Sequence, residues 1–203
     1  LFYAHPVGVE KLIDAEIEAA AEMGIRFHPN RGVHSKASNI VPPELVGSTE
    51  VVMADAERLI KKYHDTSRFS MCRVGIAPNM PQYETLEILE ESKKLAEKYD
   101  VLIHGHLAES VYETKYTLDT FGCTPARWFE KHGLLGDRFY YAHVVHLEDD
   151  EIELMKETNT GVAHCPISNM FLNSGVCRIP DLMKAGVRVG LGVDGAASSN
   201  SSN

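Results

Sequence analysis

The chain has 203 residues, enough to bury a sizeable core as one domain, and its 44% hydrophobic content is that of a soluble globular protein. A net charge of -9 without any basic run argues against a nucleic-acid backbone or an anionic membrane as partner. No apolar run reaches the ~20 residues that span a bilayer, and no signal-peptide pattern opens the chain. The four widely spaced cysteines, Cys72, Cys123, Cys165 and Cys177, read as free thiols, so a cytoplasmic protein is expected.

Residues 1–9 read as the tail of a loop. Glu10–Met23 carries apolar residues at a helical period, with Gly24 as its stop. Ile25–His28 is expected as a short strand running into Pro29–Gly32, and residues 33–49, with two prolines and no period, as a long loop. Glu50–Tyr63 is a second amphipathic helix. Arg73–Ala77 is a strand with the exit loop Pro78–Tyr83, and Thr85–Lys98 is a helix. A strand at 101–106 follows, then helices over Ser110–Leu118 and Pro125–His132. Phe139–His143 is a strand, Asp149–Thr158 a helix and Gly161–Cys165 a strand. Ile179–Ala185 is a short helix and Val187–Asp194 a final strand, ahead of a Ser/Asn-rich tail.

This alternation predicts βαβ units and a parallel sheet. The polar residues narrow the choice of fold. His28 with Arg31, Asn79, His106 with Glu109, His143, His164 with Asn169, and Asp194 fall at the carboxyl ends of six successive strands. An open doubly wound sheet uses mainly its switch point, whereas a (β/α)8 barrel gathers residues from nearly every strand end. Such barrels run to ~250 residues, so the chain is expected to be an incomplete TIM-type barrel, with about six of eight βα units and two strands missing at its start.

The stretch Ile103-His104-Gly105-His106-Leu107-Ala108-Glu109 concentrates the chemistry. Residues i and i+2 of a strand share a face, so His104 and His106 point the same way, and Glu109 sits on the turn beyond. In the last strand Val187, Val189, Leu191 and Val193 share a face expected to pack outward on helices. Arg188, Gly190, Gly192 and Asp194 share the other. Asp194 reads equally as a turn or helix-cap residue and as a site carboxylate. Imidazole and carboxylate at strand tips suit Zn²⁺ or Fe²⁺, and Glu109 suits proton transfer. His104, His28, His64 and His132 read as core histidines, while His5, His34 and His146 lie in loops with no role assigned by position.

His106-Leu107-Ala108-Glu109, Ala142-His143-Val144-Val145-His146-Leu147, Ala163-His164-Cys165-Pro166 with Ser168-Asn169, and Leu191-Gly192-Val193-Asp194-Gly195-Ala196-Ala197-Ser198 form an ordered set. It resembles the amidohydrolase superfamily, in its metal-dependent deaminase and chlorohydrolase branch. The match runs over roughly residues 25–203. Phe27-His28-Pro29-Asn30-Arg31-Gly32 and Pro42-Pro43 lean toward the 8-oxoguanine deaminase and hydroxytriazine aminohydrolase neighbourhood.

The resemblance implies that His106 and Asp194 bind one divalent metal, Zn or Fe. Glu109 would be the proton shuttle, His143 would polarise or position the attacking water, and Asp194 would take the water's proton. The implied reaction is deamination of a purine-like or other nitrogen heterocycle, with ammonia released by attack of a metal-bound hydroxide. The alternatives are dechlorination or N-dealkylation of a triazine-like ring, or a non-catalytic heterocycle-binding barrel. Asn79, Gln82, Arg31 and His146 are the expected substrate contacts; the amides of Asn79 and Gln82 suit a heterocycle edge and read equally as ordinary loop residues. His164 and Asn169 belong to a partly structural motif, in which Asn169 is expected to organise the strand-end backbone. Two departures stand out: the family's first-strand His-x-His pair is absent, and the loop Asn79-Met80-Pro81-Gln82-Tyr83 departs from the Cys-Ser-Pro-Phe or Arg-bearing pattern usual there. A small heterocycle is the expected partner, with a homodimer plausible from the family.

Overall fold

The computed structural model describes residues 5, 6, 8, 9, 11–38 and 41–199. The loop expected over 1–9 lies partly outside these residues, as does Glu10, and the tail at 200–203 lies wholly outside them. The chain divides into two compact units, residues 1–104 and 105–203, with the boundary inside one strand.

The first unit begins with α1 (Leu12–Glu22), which buries Ile13, Asp14 and Ile17. The strand expected at Ile25–His28 is displaced: Phe27 makes only an isolated parallel bridge to Cys72, and the regular strand is β1 (Asn30–Val33). Pro29 explains the shift, because it has no N–H to give to a ladder. The loop expected over 33–49 starts after Val33 and contains a short 3-10 turn, Pro43–Leu45. Helix α2 (Thr49–Tyr63) is capped by the Ser48 hydroxyl, which accepts from the Val51 N–H, and it buries Val52, Ala56, Leu59 and Ile60. That spacing is one helical stripe. Strand β2 (Gly75–Pro78) pairs in parallel with β1, Asn30 opposite Gly75 through Val33 opposite Pro78. Helix α3 (Leu86–Tyr99) is capped by Thr85 and closed by Asp100 in the left-handed region. Ile103, at the start of β3 (Ile103–Leu107), pairs with Ile76.

The second unit takes up β3 at Gly105. Helix α4 (Val111–Phe121) starts on the Ser110 hydroxyl and stops at Gly122, whose φ of 73° is a conformation glycine adopts without penalty. Helix α5 (Pro125–Lys131) carries Trp128 and Phe129 into the core, where Phe129 meets Tyr141 edge to face at 5.0 Å. Strand β4 (Phe139–His143) has the bounds expected of it. Helix α6 (Asp149–Glu157) opens on a capping box between Glu148 and Glu151. Strand β5 (Gly161–His164) pairs with β4 and with β6 (Val189–Leu191), both in parallel.

Two features of the second unit also differ from expectation. A six-residue helix, α7 (Pro166–Phe171), stands where no helix was expected, followed by α8 (Ile179–Ala185). The last strand is three residues long rather than eight, and its outward face is covered only in part: Val187 is buried, but Leu191 is 84% exposed and Val193 42%. All four cysteines are free. Among the described residues no helix is long and apolar enough to cross a membrane.

Candidate active site

Every central residue of the site lies in the second unit, at the carboxyl end of a strand. His106 stands near the end of β3, and Glu109 follows on the turn into α4. His143 ends β4, and Asp194 follows β6. The backbone at these exits is unusual. Ala108 (φ 49°), His143 (φ 71°), Val144 (φ 49°) and Asp194 (φ 62°) all adopt left-handed conformations without being glycine. Such conformations are uncommon, and for a β-branched valine they are genuine outliers that persist only where the surroundings hold them. Here hydrogen bonds hold them. The N–H groups of Val144, Val145 and His146 donate to the carbonyls of Leu107 (3.0 Å), Ala108 (2.9 Å) and Ala108 (3.0 Å). The Gly195 N–H donates to Asp194 Oδ1 at 2.7 Å.

His143 is 1% exposed. Its Nδ1 lies 2.8 Å from Asn169 Oδ1, an atom that only accepts, so Nδ1 carries a proton and donates it there. Its Nε2 lies 3.8 Å from Glu109 Oε1 and 3.8 Å from Asp194 Oδ2. The His106 ring stacks on His143 with centroids 5.2 Å apart. Asp194 Oδ2 in turn accepts from the Ser168 hydroxyl at 2.5 Å.

The two carboxyls are driven apart electrostatically. Burial pushes the Glu109 carboxyl up; Asp194 pushes the same way, and His143 and the Ser174 hydroxyl oppose. Burial also acts upward on Asp194, but the Ser168 hydroxyl, His143, the Gly195 N–H and the Ser198 hydroxyl together hold it below the usual carboxylate range. A pair separated in this way has one member suited to carry a proton and one suited to remain charged.

The chemistry of this donor set, imidazole nitrogen with carboxylate oxygen, fits a borderline divalent cation such as zinc. Among the described residues no group of three or more His, Cys, Asp or Glu is arranged to hold a metal ion.

The other expected residues have different fates. Arg31 is buried within β1 and committed to Asp55 of α2 at 2.7 Å and to the Gly32 carbonyl, so its guanidinium serves the strand–helix layer. Asn79 and Gln82 follow β2 in the first unit. The oxygen of each side-chain amide is buried and accepts no hydrogen bond from the described residues. Their loop is organised by Glu84, which accepts from the Ser35 N–H (2.9 Å), the Ser35 hydroxyl (2.7 Å) and the Asn79 N–H (3.4 Å). His146 donates from Nε2 to the Ser174 carbonyl at 2.7 Å, so it ties the segment around Ser174 to the β4 exit. Asn169 does more than organise backbone, since its side chain sets the His143 tautomer. Ser168 and Glu113 were not singled out from the sequence. The signals that point to them are the Pro-x-Ser-Asn opening of α7 and the Ser-x-x-Glu pattern of Ser110 and Glu113.

A profile described as "Amidohydrolase family" matches residues 2–203. The chain belongs to the amidohydrolase family. It is 38% identical to the 8-oxoguanine deaminase of Pseudomonas aeruginosa over 204 residues, 99% of this chain and 45% of that protein. It is 38% identical to the hydroxydechloroatrazine ethylaminohydrolase of Pseudomonas sp. strain ADP, over 95% of this chain and 40% of that one. Among solved structures it superposes on the zinc complex of an atrazine chlorohydrolase from Arthrobacter aurescens with a TM-score of 0.90, at 31% identity, over 95% of this chain and 43% of the other. The chain thus spans less than half the length of the relatives it matches. Its fold is the α/β barrel of this amidohydrolase kind, of which the described residues contain six strands.

Proposed function

We propose that residues 1–203 belong to a metal-dependent hydrolase domain that deaminates a purine-like or related nitrogen heterocycle, releasing ammonia from a ring carbon that bears an amine. The observation that carries this reading is the convergence of Glu109 and Asp194 on His143 Nε2, 3.8 Å from each. Relatives named for deamination of 8-oxoguanine and isoxanthopterin support it.

His106 and Asp194 would hold the metal, zinc by donor type with iron as the second choice, which when bound supplies Lewis acidity and a lower pKa for water. His143 polarises or positions the attacking water through Nε2, the ring nitrogen that Asn169 leaves free. Asp194, kept ionised by Ser168 and Gly195, takes the water's proton. Glu109 delivers a proton to the departing nitrogen so that it leaves as neutral ammonia. Asn79 and Gln82 are proposed substrate contacts because their unfilled amide oxygens accept from N–H groups of the kind such rings carry.

The test is ammonia release by the full-length protein, expressed with zinc, across guanine, 8-oxoguanine, isoguanine, adenosine, adenosylhomocysteine, cytosine and hydroxytriazines. Ammonia from one ring, reduced about 10²–10⁴-fold in Glu109→Gln, is the expected result. The likeness to an atrazine chlorohydrolase favours a second reading, hydrolysis of chloride or an alkylamine from a triazine. Metal bound but no ammonia would select that reading, and no metal with no turnover would select a heterocycle-binding barrel.

A further inference from the structure

Glu113 is completely buried, and nothing in the reaction just described uses it. Its carboxyl accepts the Ala108 N–H at Oε1 (3.1 Å) and the Glu109 N–H at Oε2 (2.8 Å). In an ordinary capping box the third residue of a helix reaches back to the N–H of the cap. Ser110 does cap α4 by accepting from the Glu113 N–H at 3.2 Å. The Glu113 side chain, however, reaches one and two residues beyond the cap, into the turn itself. That turn contains Ala108 at φ 49°, a conformation an alanine does not hold by itself. The Ala108 carbonyl then receives the N–H groups of Val145 and His146, so the same turn also fixes the chain just past His143.

We propose that Glu113 is a positioning residue: its two oxygens clamp the Ala108–Glu109 turn and thereby aim the Glu109 carboxyl at the space in front of His143 Nε2. The proposal rests on the proton-carrying role of Glu109 given above. Both oxygens of a carboxyl group can accept a hydrogen bond, whether or not it is ionised. A glutamine offers one acceptor oxygen and sets an NH₂ against the second backbone N–H. Glu113→Gln therefore preserves volume and removes half the clamp, leaving one buried N–H opposed by another donor.

The test compares Glu113→Gln, Glu109→Gln and the double variant in the full-length zinc-loaded protein, on the substrate found in the ammonia assay. Misaiming a group in this way costs about 10–100-fold. We expect kcat to fall by that factor in Glu113→Gln with KM little changed, and the double variant to be no slower than Glu109→Gln alone, because a clamp on an absent group does nothing. Glu113→Asp keeps both acceptors on a shorter stem. It should retain more kcat than Glu113→Gln, and it carries the same comparison if the glutamine variant does not fold. Faster hydrogen exchange confined to the Ala108 and Glu109 amides is the expected independent signature. Undiminished kcat, a double variant slowed by the product of the two single effects, or unaltered exchange at those amides would overturn the proposal. A wild type silent on every substrate sinks the proposed function instead, and the amide exchange then still decides whether the clamp exists.

Discussion

With its Nδ1–H given to the Asn169 amide oxygen, the His143 imidazole has only Nε2 to offer, and that atom faces both site carboxylates. Asn169→Ala removes this tie and leaves a buried N–H unpaired, which costs about 1–3 kcal/mol. We expect a lowered Tm, loss of the single tautomer in ¹⁵N spectra of His143, and a decrease in activity of roughly 10–100-fold. At this scale much of the site was legible in the sequence. His106, Glu109, His143 and Asp194 fall at strand ends in the sequence, but position alone left Asp194 equally a turn residue, and it was the family resemblance that gave the four their expected roles. The contacts that support them were not legible. Ser168 and Asn169 meet Asp194 and His143 across 26 residues of chain, and Glu113 looks like an ordinary capping glutamate until its two backbone donors are seen.

Among the elements, strand β4 and helix α8 lie where their patterns place them, because each is a short segment with clear punctuation on both sides. Strand β1 moved past Pro29, which has no N–H to give to the ladder. Helix α7 escaped notice because six residues are too few to display an apolar period. The close seam in the first unit is Gly75, opposite Asn30. A methyl group there would meet the Asn30 amide oxygen, the Leu102 carbonyl at 2.9 Å and His28 Nε2 at 3.0 Å. Gly75→Ala should therefore overpack the β1–β2 pair at a cost of about 1–3 kcal/mol. Chemical denaturation should show it as a lower midpoint with an unchanged slope.

Across the whole molecule the two units rely on different kinds of polar support. The first is laced by an ionic chain, in which Asp14 on α1 binds Arg58, Lys62 and Tyr63 of α2, Arg58 also binds Asp55, and Asp55 holds Arg31. The Arg58 guanidinium, helped by Lys62 and Tyr63 against burial, keeps the Asp14 carboxyl well below the usual carboxylate range. A carboxyl lowered by folding stabilises the native state above its unfolded value, about 3.9, and that contribution disappears as pH falls through the folded value. Acid titration followed by far-ultraviolet circular dichroism should show it, since the single tryptophan, Trp128, reports only the second unit. Asp14→Asn should unfold with a shallower pH dependence in that acid range. In the second unit, the two contacts that arm the site, His143 to Asn169 and Ser168 to Asp194, each close a loop of 26 residues. Loop-closure entropy grows only slowly with length, so fastening each contact costs little more than closing a shorter loop. Both fastenings lie within residues 143–194, so the βα units that present His143 and Asp194 also hold them in place.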